Sequence, residues 1–375
     1  MSEDEWLYAY AVLILRFDRT IAGNGWQVDY FGPAEWRARV AEEEPMPAAR
    51  LVDEVDALAA DLPFTEARHK YLAAHLRALR ALARRAAGVR IAMRDMIRDC
   101  LGIDVGMVSE TIFAQAHDEL DRALPTTAGS LATRLRDWRQ THSLTQLDRL
   151  PALVARAVAE CRLRTHEQIV PLPDGEQVGC ELVPGVGYVG MGAHHGGLTS
   201  TILLNGDRPF NLADLLYVVA HEGHPGHIAE MVLKEIHLAD RPEQRVRFAP
   251  APPYVLSEGL ALHGQALLFP GDEAQAWLVD HVGLQSDGSD FAAIHRARNA
   301  LFGVHHNAVL LLDDGRPDAE VADYLARWGL MDNPTTAGFD SPYLAAYYHG
   351  WQLLDSRLDL ARRLLTEQVL PADLL

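Results

Sequence analysis

Apolar residues recur at helical spacing through the first part of the chain. In residues 65–87, leucines return every three or four positions between a candidate N-cap, Thr65, and a terminating glycine, Gly88. The same pattern predicts further helices over residues 36–58, 91–101, 131–141 and 150–164. We therefore expect residues 1–165 to form a helical N-terminal region.

The pattern changes after residue 165, where short runs rich in β-branched residues alternate with glycine and proline. These runs predict four strands over residues 168–173, 177–184, 187–193 and 200–205, and helices resume from Asn211 to the end of the chain. The predicted class is mostly α with a small antiparallel β-sheet. Residues 166–375 would carry the sheet and the helices that follow it, and both regions would form one compact two-lobed fold.

Composition narrows the function classes. The chain has 375 residues and a net charge of -18, which argues against nucleic acid and anionic membranes as partners because both require a basic surface. No apolar run approaches the roughly 20 residues needed to span a bilayer, and the first residues are acidic, unlike a secretory signal. Three scattered cysteines suggest no disulfide framework. We expect a cytoplasmic protein.

The main chemical signal is the motif HEGHPGH, which begins at His221 and follows an apolar run. In a regular HExxH helix, histidines at i and i+4 bind zinc together, but here position i+4 is Pro225. At about 100° per residue, His224 lies about 60° from His221, whereas His227 lies about 120° away. On a regular helix, His224 would therefore be the nearer partner of His221.

The helix is not expected to remain regular at this point. Pro225 lacks an N–H and its ring clashes with the carbonyl of His221, while Gly226 adds backbone freedom. A break there would bring His227 back beside His221 and begin a second helix. From these residues alone, either His224 or His227 can pair with His221, and a polar helix end without metal is a third interpretation.

Here the sequence resembles a known family. H-E-x-x-P-G-H is the hallmark of the bacterial domain-of-unknown-function family 885, which is grouped with the zincin-like metallopeptidases. Further similar stretches are STILLN at 200–205, SEGLALH at 257–263, GVH at 303–305 and AYYHG at 346–350. The resemblance covers roughly residues 200–360, in a chain much shorter than typical members.

The resemblance implies a set of roles. His221, His227 and Glu258 would be the ligands of one Zn²⁺ per chain, or of another divalent metal, and Glu222 would be the general base. Tyr347 would stabilise an oxyanion or orient the substrate. The strand at 199–205 would be the edge strand that holds an extended substrate.

Other polar residues are candidates for the surroundings of the site. His224 would be an outer hydrogen-bond donor or an alternative ligand, and Arg298 would bind a substrate carboxylate through its guanidinium. Leu260 and His263 stand where the family has Trp and Tyr. The remaining candidates near the metal or the substrate are His263, His305 and Asn205.

These observations predict a zinc-dependent, zincin-like hydrolase that cleaves a peptide or small amide bond. Its partner would be a small peptide or amide-like substrate, without nucleic acid or membrane. Two alternatives are a metal-dependent biosynthetic enzyme acting on a small polar metabolite and a non-catalytic binding protein on a zincin-like scaffold.

Overall fold

The computed structural model describes residues 1–21 and 27–375, and most of them are helical. The sixteen α-helices of these ranges, in chain order, are α1 Glu3–Thr20, α2 Ala34–Glu42, α3 Ala48–Ala60, α4 Glu66–Ala86, α5 Met93–Leu101, α6 Glu110–Ala123, α7 Leu131–Thr141, α8 Leu150–Gln168, α9 Leu215–Glu222, α10 His227–His237, α11 Pro253–Leu268, α12 Glu273–Val282, α13 Phe291–Asp313, α14 Asp318–Gly329, α15 Leu344–Leu354 and α16 Ala361–Thr366.

Seven short strands form three small sheets within the described ranges. The strands are β1 Gln27–Tyr30, β2 Ser143–Leu144, β3 Gln177–Val183, β4 Gly190–His194, β5 Thr199–Asn205, β6 Phe210–Asn211 and β7 Val246–Ala249. β1 pairs with β7 and β2 pairs with β6, both antiparallel. The third sheet has the order β3-β5-β4, in which β3 runs parallel and β4 antiparallel to β5.

The predicted mostly helical class with a small sheet is confirmed, but several details differ. The single helix expected over 36–58 is two helices, α2 and α3, because Pro45 and Pro47 interrupt the backbone hydrogen bonds. Residues 168–173 form no strand: Gln168 ends α8 and the rest is irregular. The predicted number of strands after residue 165 is wrong, since the sheet formed there has three strands and is mixed, whereas the other two small sheets are antiparallel.

Strand β1 was missed because it has only four residues and no local partner. It pairs with β7, more than 200 positions later, with Asp29 opposite Arg247. Cross-strand pairing over such a separation is a tertiary contact that no window of the sequence contains.

The hydrophobic cores join distant parts of the chain. One cluster packs side chains of α6–α8 against the third sheet, α9, α12, α13 and α14. Another packs α1, α3, α4 and α5 against β7, the start of α11 and α15. Each cluster therefore includes residues from both sides of position 165, and the division into regions 1–165 and 166–375 stays a prediction.

Two glycines allow α11 and α15 to cross at close range. A Cβ on Gly259 would lie 2.3 Å from the carbonyl oxygen of Gly350, and a Cβ on Gly350 would lie 2.0 Å from that of Val255. No side chain fits between these backbones. The crossing sets how near Glu258 on α11 comes to the tyrosines at the start of α15.

None of the helices in the described ranges is both long enough and apolar enough to cross a membrane.

Gly350→Ala is expected to lower the free energy of unfolding by about 1–3 kcal/mol, because its methyl group would force the two helices apart. Chemical denaturation measures the change. Gly106→Ala is the control: it has open space around it and should change stability by less than about 1 kcal/mol. Equal effects in both variants would contradict the packing argument.

Candidate metal centre

The HEGHPGH segment does not form one continuous helix. α9 ends at Glu222, and α10 begins at His227. The His224–Pro225 peptide bond is cis. The Gly226 N–H donates to the carbonyl oxygen of Ala220 (3.0 Å), so the chain turns tightly at the end of α9 before the second helix starts.

This turn brings His227 beside His221. A Cβ on Gly226 would lie 1.8 Å from the His221 carbonyl oxygen, so only glycine permits the approach. The two imidazole rings are nearly perpendicular, with centroids 4.8 Å apart. The structure therefore pairs His221 with His227, as a helix break at Pro225 allows. It does not pair His221 with His224.

Glu258, from α11, lies against both imidazoles. Its Oε2 is 3.4 Å from His221 Nε2 and its Oε1 is 3.5 Å from His227 Nε2. The residue is only 2% exposed, and Oε2 is buried without a hydrogen-bond partner. A buried carboxylate oxygen left in this state is costly unless something positive binds it.

The separations suit a metal ion better than hydrogen bonds. Ligand atoms about 2.0–2.1 Å from a tetrahedral zinc lie roughly 3.3 Å from one another. The N–O distances of 3.4 and 3.5 Å to Glu258 are close to that value. Two imidazole nitrogens and one carboxylate are a donor set typical of catalytic zinc. The residues present therefore fit the metal.

The electrostatics of the centre point the same way. Burial by itself lowers the pKa of His221, but the carboxylates of Glu222 and Glu258 outweigh burial and raise it. Burial raises the pKa of Glu258, but His227, His221 and the Tyr343 hydroxyl outweigh burial and lower it. Two carboxylates and two imidazoles thus surround a point that attracts positive charge.

Glu222 is held differently from Glu258. Its Oε2 accepts a hydrogen bond from the Gly192 N–H (2.8 Å), and its Oε1 is 4.0 Å from His221 Nε2. One ligand atom from each of Glu222, His221 and His227 lies within 4.8 Å of the others. The Oε1 atom of Glu222 lies farther from His221 than either Glu258 oxygen lies from its imidazole, so Glu222 is the less suitable metal ligand and lies beside the centre.

Glycines in β4 make that contact possible. A Cβ on Gly192 would lie 2.4 Å from the Glu222 carbonyl oxygen, and one on Gly190 would lie 3.3 Å from Glu222 Cγ. The strand therefore packs directly on the last turn of α9. Glycines at alternate positions of a predicted strand were the signal in the sequence for this close approach, and it was missed.

Two tyrosines from the start of α15 complete the described part of the centre. The Tyr343 hydroxyl donates a short hydrogen bond to Glu258 Oε1. Tyr347 lines the same cleft, with its ring stacked on Phe302 at a centroid distance of 4.9 Å. Burial raises the pKa of both tyrosines well above the usual value, so both are proton donors at neutral pH. Tyr343, four positions before Tyr347, was not predicted.

A second layer of polar residues supports His227. Its Nδ1 is 3.0 Å from Ser257 Oγ, and the Ser257 hydroxyl donates a short hydrogen bond to Glu230 Oε2. Glu230 in turn pairs with Lys234 (2.7 Å) and Arg247 (3.4 Å). Burial raises the pKa of the Glu230 carboxyl, but Lys234, Arg247 and Ser257 outweigh it and hold the pKa far below its usual range.

The centre lies in a cleft of about 240 Å³. Its lining comes from β1 and β7, from the edge of β4, from the two histidine helices and from the tyrosines of α15. The acidic and basic residues and the histidines among the lining are Asp29, His221, Glu222, His227, Arg247 and Glu258.

Two predicted histidines lie outside this arrangement. His224 is fully buried and donates from Nε2 to the Glu176 carboxylate (3.0 Å), which also pairs with Arg162 (3.0 Å). His263 donates from Nε2 to the Trp351 carbonyl oxygen (2.9 Å). It lies five positions after Glu258 on α11, so its side chain leaves the helix on a different face and meets α15. The predictions that place them at the metal or substrate are corrected accordingly.

Three other predicted residues serve the scaffold instead. Arg298 pairs with Asp214 (2.6 Å), so its guanidinium is not directed at a substrate. Asn205 donates to the carbonyl oxygens of Val186 and Tyr188 and so fixes the loop before β4. His305 packs between the rings of Phe302 and Phe339 and is not among the described residues that line the cleft.

The edge strand is also different from the one expected. β5, over Thr199–Asn205, is the central strand of its sheet, and β4 is the edge beside the centre. Sequence order placed β5 nearest to α9, but the reversal between β4 and β5 brings β4 to the cleft.

No family model matches the sequence, and no curated protein matches it. Membership of family 885 therefore stays a prediction from the motifs.

Several solved structures resemble the fold remotely. A protein described as a lipoprotein, from Colwellia psychrerythraea, is 14% identical with a TM-score of 0.48, over 86% of this chain and 60% of that one. This chain thus spans about three fifths of that protein. A protein named BsuCP (10% identity, TM-score 0.40) and an M32 carboxypeptidase from Deinococcus radiodurans R1 (11%, 0.37) align over 97% of this chain and 88% of theirs. Because these TM-scores are low, the function proposed for this chain rests on its own side chains and not on these similarities.

Elemental analysis of protein purified without chelator is expected to find about one zinc per chain. His221→Ala, His227→Ala and Glu258→Ala should each lose the metal because each removes one ligand. His224→Gln is the control, since the side chain it replaces binds Glu176 and not the centre. Loss of metal in the control alone would contradict the assignment of ligands.

Proposed function

We propose that this protein is a zinc-dependent hydrolase that cleaves a peptide or small amide bond. The observation that carries the proposal is the Glu258 carboxylate, whose two oxygens lie 3.4 and 3.5 Å from the Nε2 atoms of His221 and His227. Glu222 beside this set, with its own backbone hydrogen bond, supports a catalytic rather than a structural site. The motif resemblance to zincin-like metallopeptidases agrees with it.

When zinc is bound by His221, His227 and Glu258, it supplies a Lewis acid that polarises a carbonyl and lowers the pKa of water toward 7. Glu222 is placed to take the proton of the attacking water and to pass it to the leaving nitrogen. The Gly192 N–H holds one of its oxygens (2.8 Å), which leaves the other oxygen toward the centre for that proton.

Tyr343 and Tyr347 have different roles in this proposal. Tyr343 donates to Glu258 and fixes the carboxylate between the imidazoles. Tyr347 lies in the cleft and stays protonated at neutral pH, so its hydroxyl is available to the oxyanion that develops as water attacks the carbonyl.

The substrate is expected to lie along β4. Gly190, Met191 and Gly192 line the cleft, and this strand is the outer one of its sheet. An extended backbone can therefore add to this outer edge through the main-chain groups that Glu222 does not occupy. The cleft volume of about 240 Å³ favours a short peptide or a small amide over a folded protein.

Glu222→Gln is expected to retain zinc while lowering kcat by about 100-fold or more, because the amide cannot accept the proton of the water. Turnover of a panel of short N-blocked peptides and small amides gives kcat, and elemental analysis gives the metal content.

Two outcomes would contradict the proposal. One is full activity in protein freed of metal by chelation. The other is a Glu222→Gln variant that keeps both its zinc and its wild-type kcat, which would remove this glutamate from the reaction.

Tyr347→Phe is expected to lower kcat by about 10²-fold with little change in KM, because the lost hydrogen bond forms mainly in the transition state. Steady-state kinetics on the best substrate of the panel measure both constants. The variant should keep its zinc. A rise in KM alone would assign Tyr347 to substrate binding instead.

A further inference from the structure

We propose that Ser257 and Glu230 form a positioning relay that fixes the tautomer and orientation of His227 for metal binding. The inference rests on the proposed metal centre. It names residues that neither touch the metal position nor belong to the HEGHPGH motif.

The direction of each hydrogen bond follows from the charges at the far end of the relay. Lys234 and Arg247 both pair with the Glu230 carboxylate, at 2.7 and 3.4 Å, so this carboxylate is an acceptor. The single hydrogen of the Ser257 hydroxyl goes to Glu230. Ser257 Oγ therefore accepts from His227, 3.0 Å away, and Nδ1 must carry the proton.

A metal ligand has to be the neutral imidazole, and in a neutral His227 ring with the proton on Nδ1 the lone pair is on Nε2. That atom faces Glu258 Oε1 at 3.5 Å, a separation longer than a hydrogen bond. An unprotonated nitrogen and a carboxylate oxygen repel each other unless a cation binds both. The relay thus presents the nitrogen that a metal requires.

The relay uses consecutive residues of α11 on one imidazole. Ser257 contacts Nδ1 of His227, and Glu258 faces Nε2 of the same ring. One turn of a buried helix therefore places a side chain beside each nitrogen of the ring. Glu230 lies one turn after His227 on α10, so both helices have to keep their register for the relay to form.

All members of the relay beyond His227 are buried. Ser257 is 6%, Glu230 4% and Lys234 6% exposed, so bulk solvent has little access to these hydrogen bonds. Buried ion pairs are seldom a net gain in stability, and a role in positioning explains why such a pair lies behind a metal ligand.

The test measures zinc affinity by competition with a chromophoric chelator at one pH near neutral. Ser257→Ala is expected to weaken zinc binding by about 10- to 100-fold. Ser257→Thr keeps a hydroxyl at the same position and should bind zinc about as the wild type does. Glu230→Gln removes the charge that orients the hydroxyl and should weaken binding in the same direction as Ser257→Ala.

Glu176→Gln is the matched control, because Glu176 is also a buried carboxylate that pairs with a histidine and an arginine, away from the centre. It should leave zinc affinity unchanged even where thermal unfolding of the metal-free protein shows a loss of stability.

The outcomes separate the relay from the metal centre. If the wild type binds zinc and Ser257→Ala remains within about twofold of it, the relay is overturned while the centre stands. Equal losses in the Ala and Thr variants also overturn the relay, since the hydroxyl would then be irrelevant. A wild-type protein that takes up no zinc overturns both proposals.

Discussion

The described centre depends on the contact between one buried carboxylate and two imidazoles. Glu258 lies between His221 and His227, and burial makes its charge expensive unless a positive charge balances it. A divalent cation at this point would supply that charge with neutral imidazoles as its ligands, so metal binding and the protonation of the centre are linked.

That contact exists because several backbones approach one another more closely than side chains allow. Gly226 lets the second histidine helix begin against the end of the first, and Gly192 lets the edge strand lie on Glu222. Gly259 and Gly350 let α11 cross α15, which brings Glu258 to Tyr343. Each of these glycines permits the close approach because it has no Cβ.

Polar residues that look functional in the sequence have structural partners here. Arg298 pairs with Asp214, and His224 pairs with Glu176. His263 binds a backbone carbonyl oxygen of α15. Each is a histidine or arginine near a motif, yet each satisfies a buried polar group, because burial without a partner is costly whatever the function. Composition and spacing do not distinguish these two uses.

The sequence by itself determined the helices with strong apolar periodicity, such as α4 and α7, and the position of the break at Pro225. These features depend on local chemistry: side-chain spacing, and a proline that cannot continue a hydrogen-bonded turn. The motif also singled out His221, Glu222, His227 and Glu258 through a family resemblance.

Only the tertiary structure decided which histidine meets His221, which strand borders the cleft, and which residues stand behind His227. The angle of a broken helix, the pairing of β4 with β5 and the crossing of α11 over α15 depend on contacts between residues far apart in the chain. Ser257 and Glu230 are 27 positions apart and meet only because α10 and α11 pack together. Local sequence patterns do not predict such contacts, because the free energy of these contacts arises when distant surfaces are buried against each other.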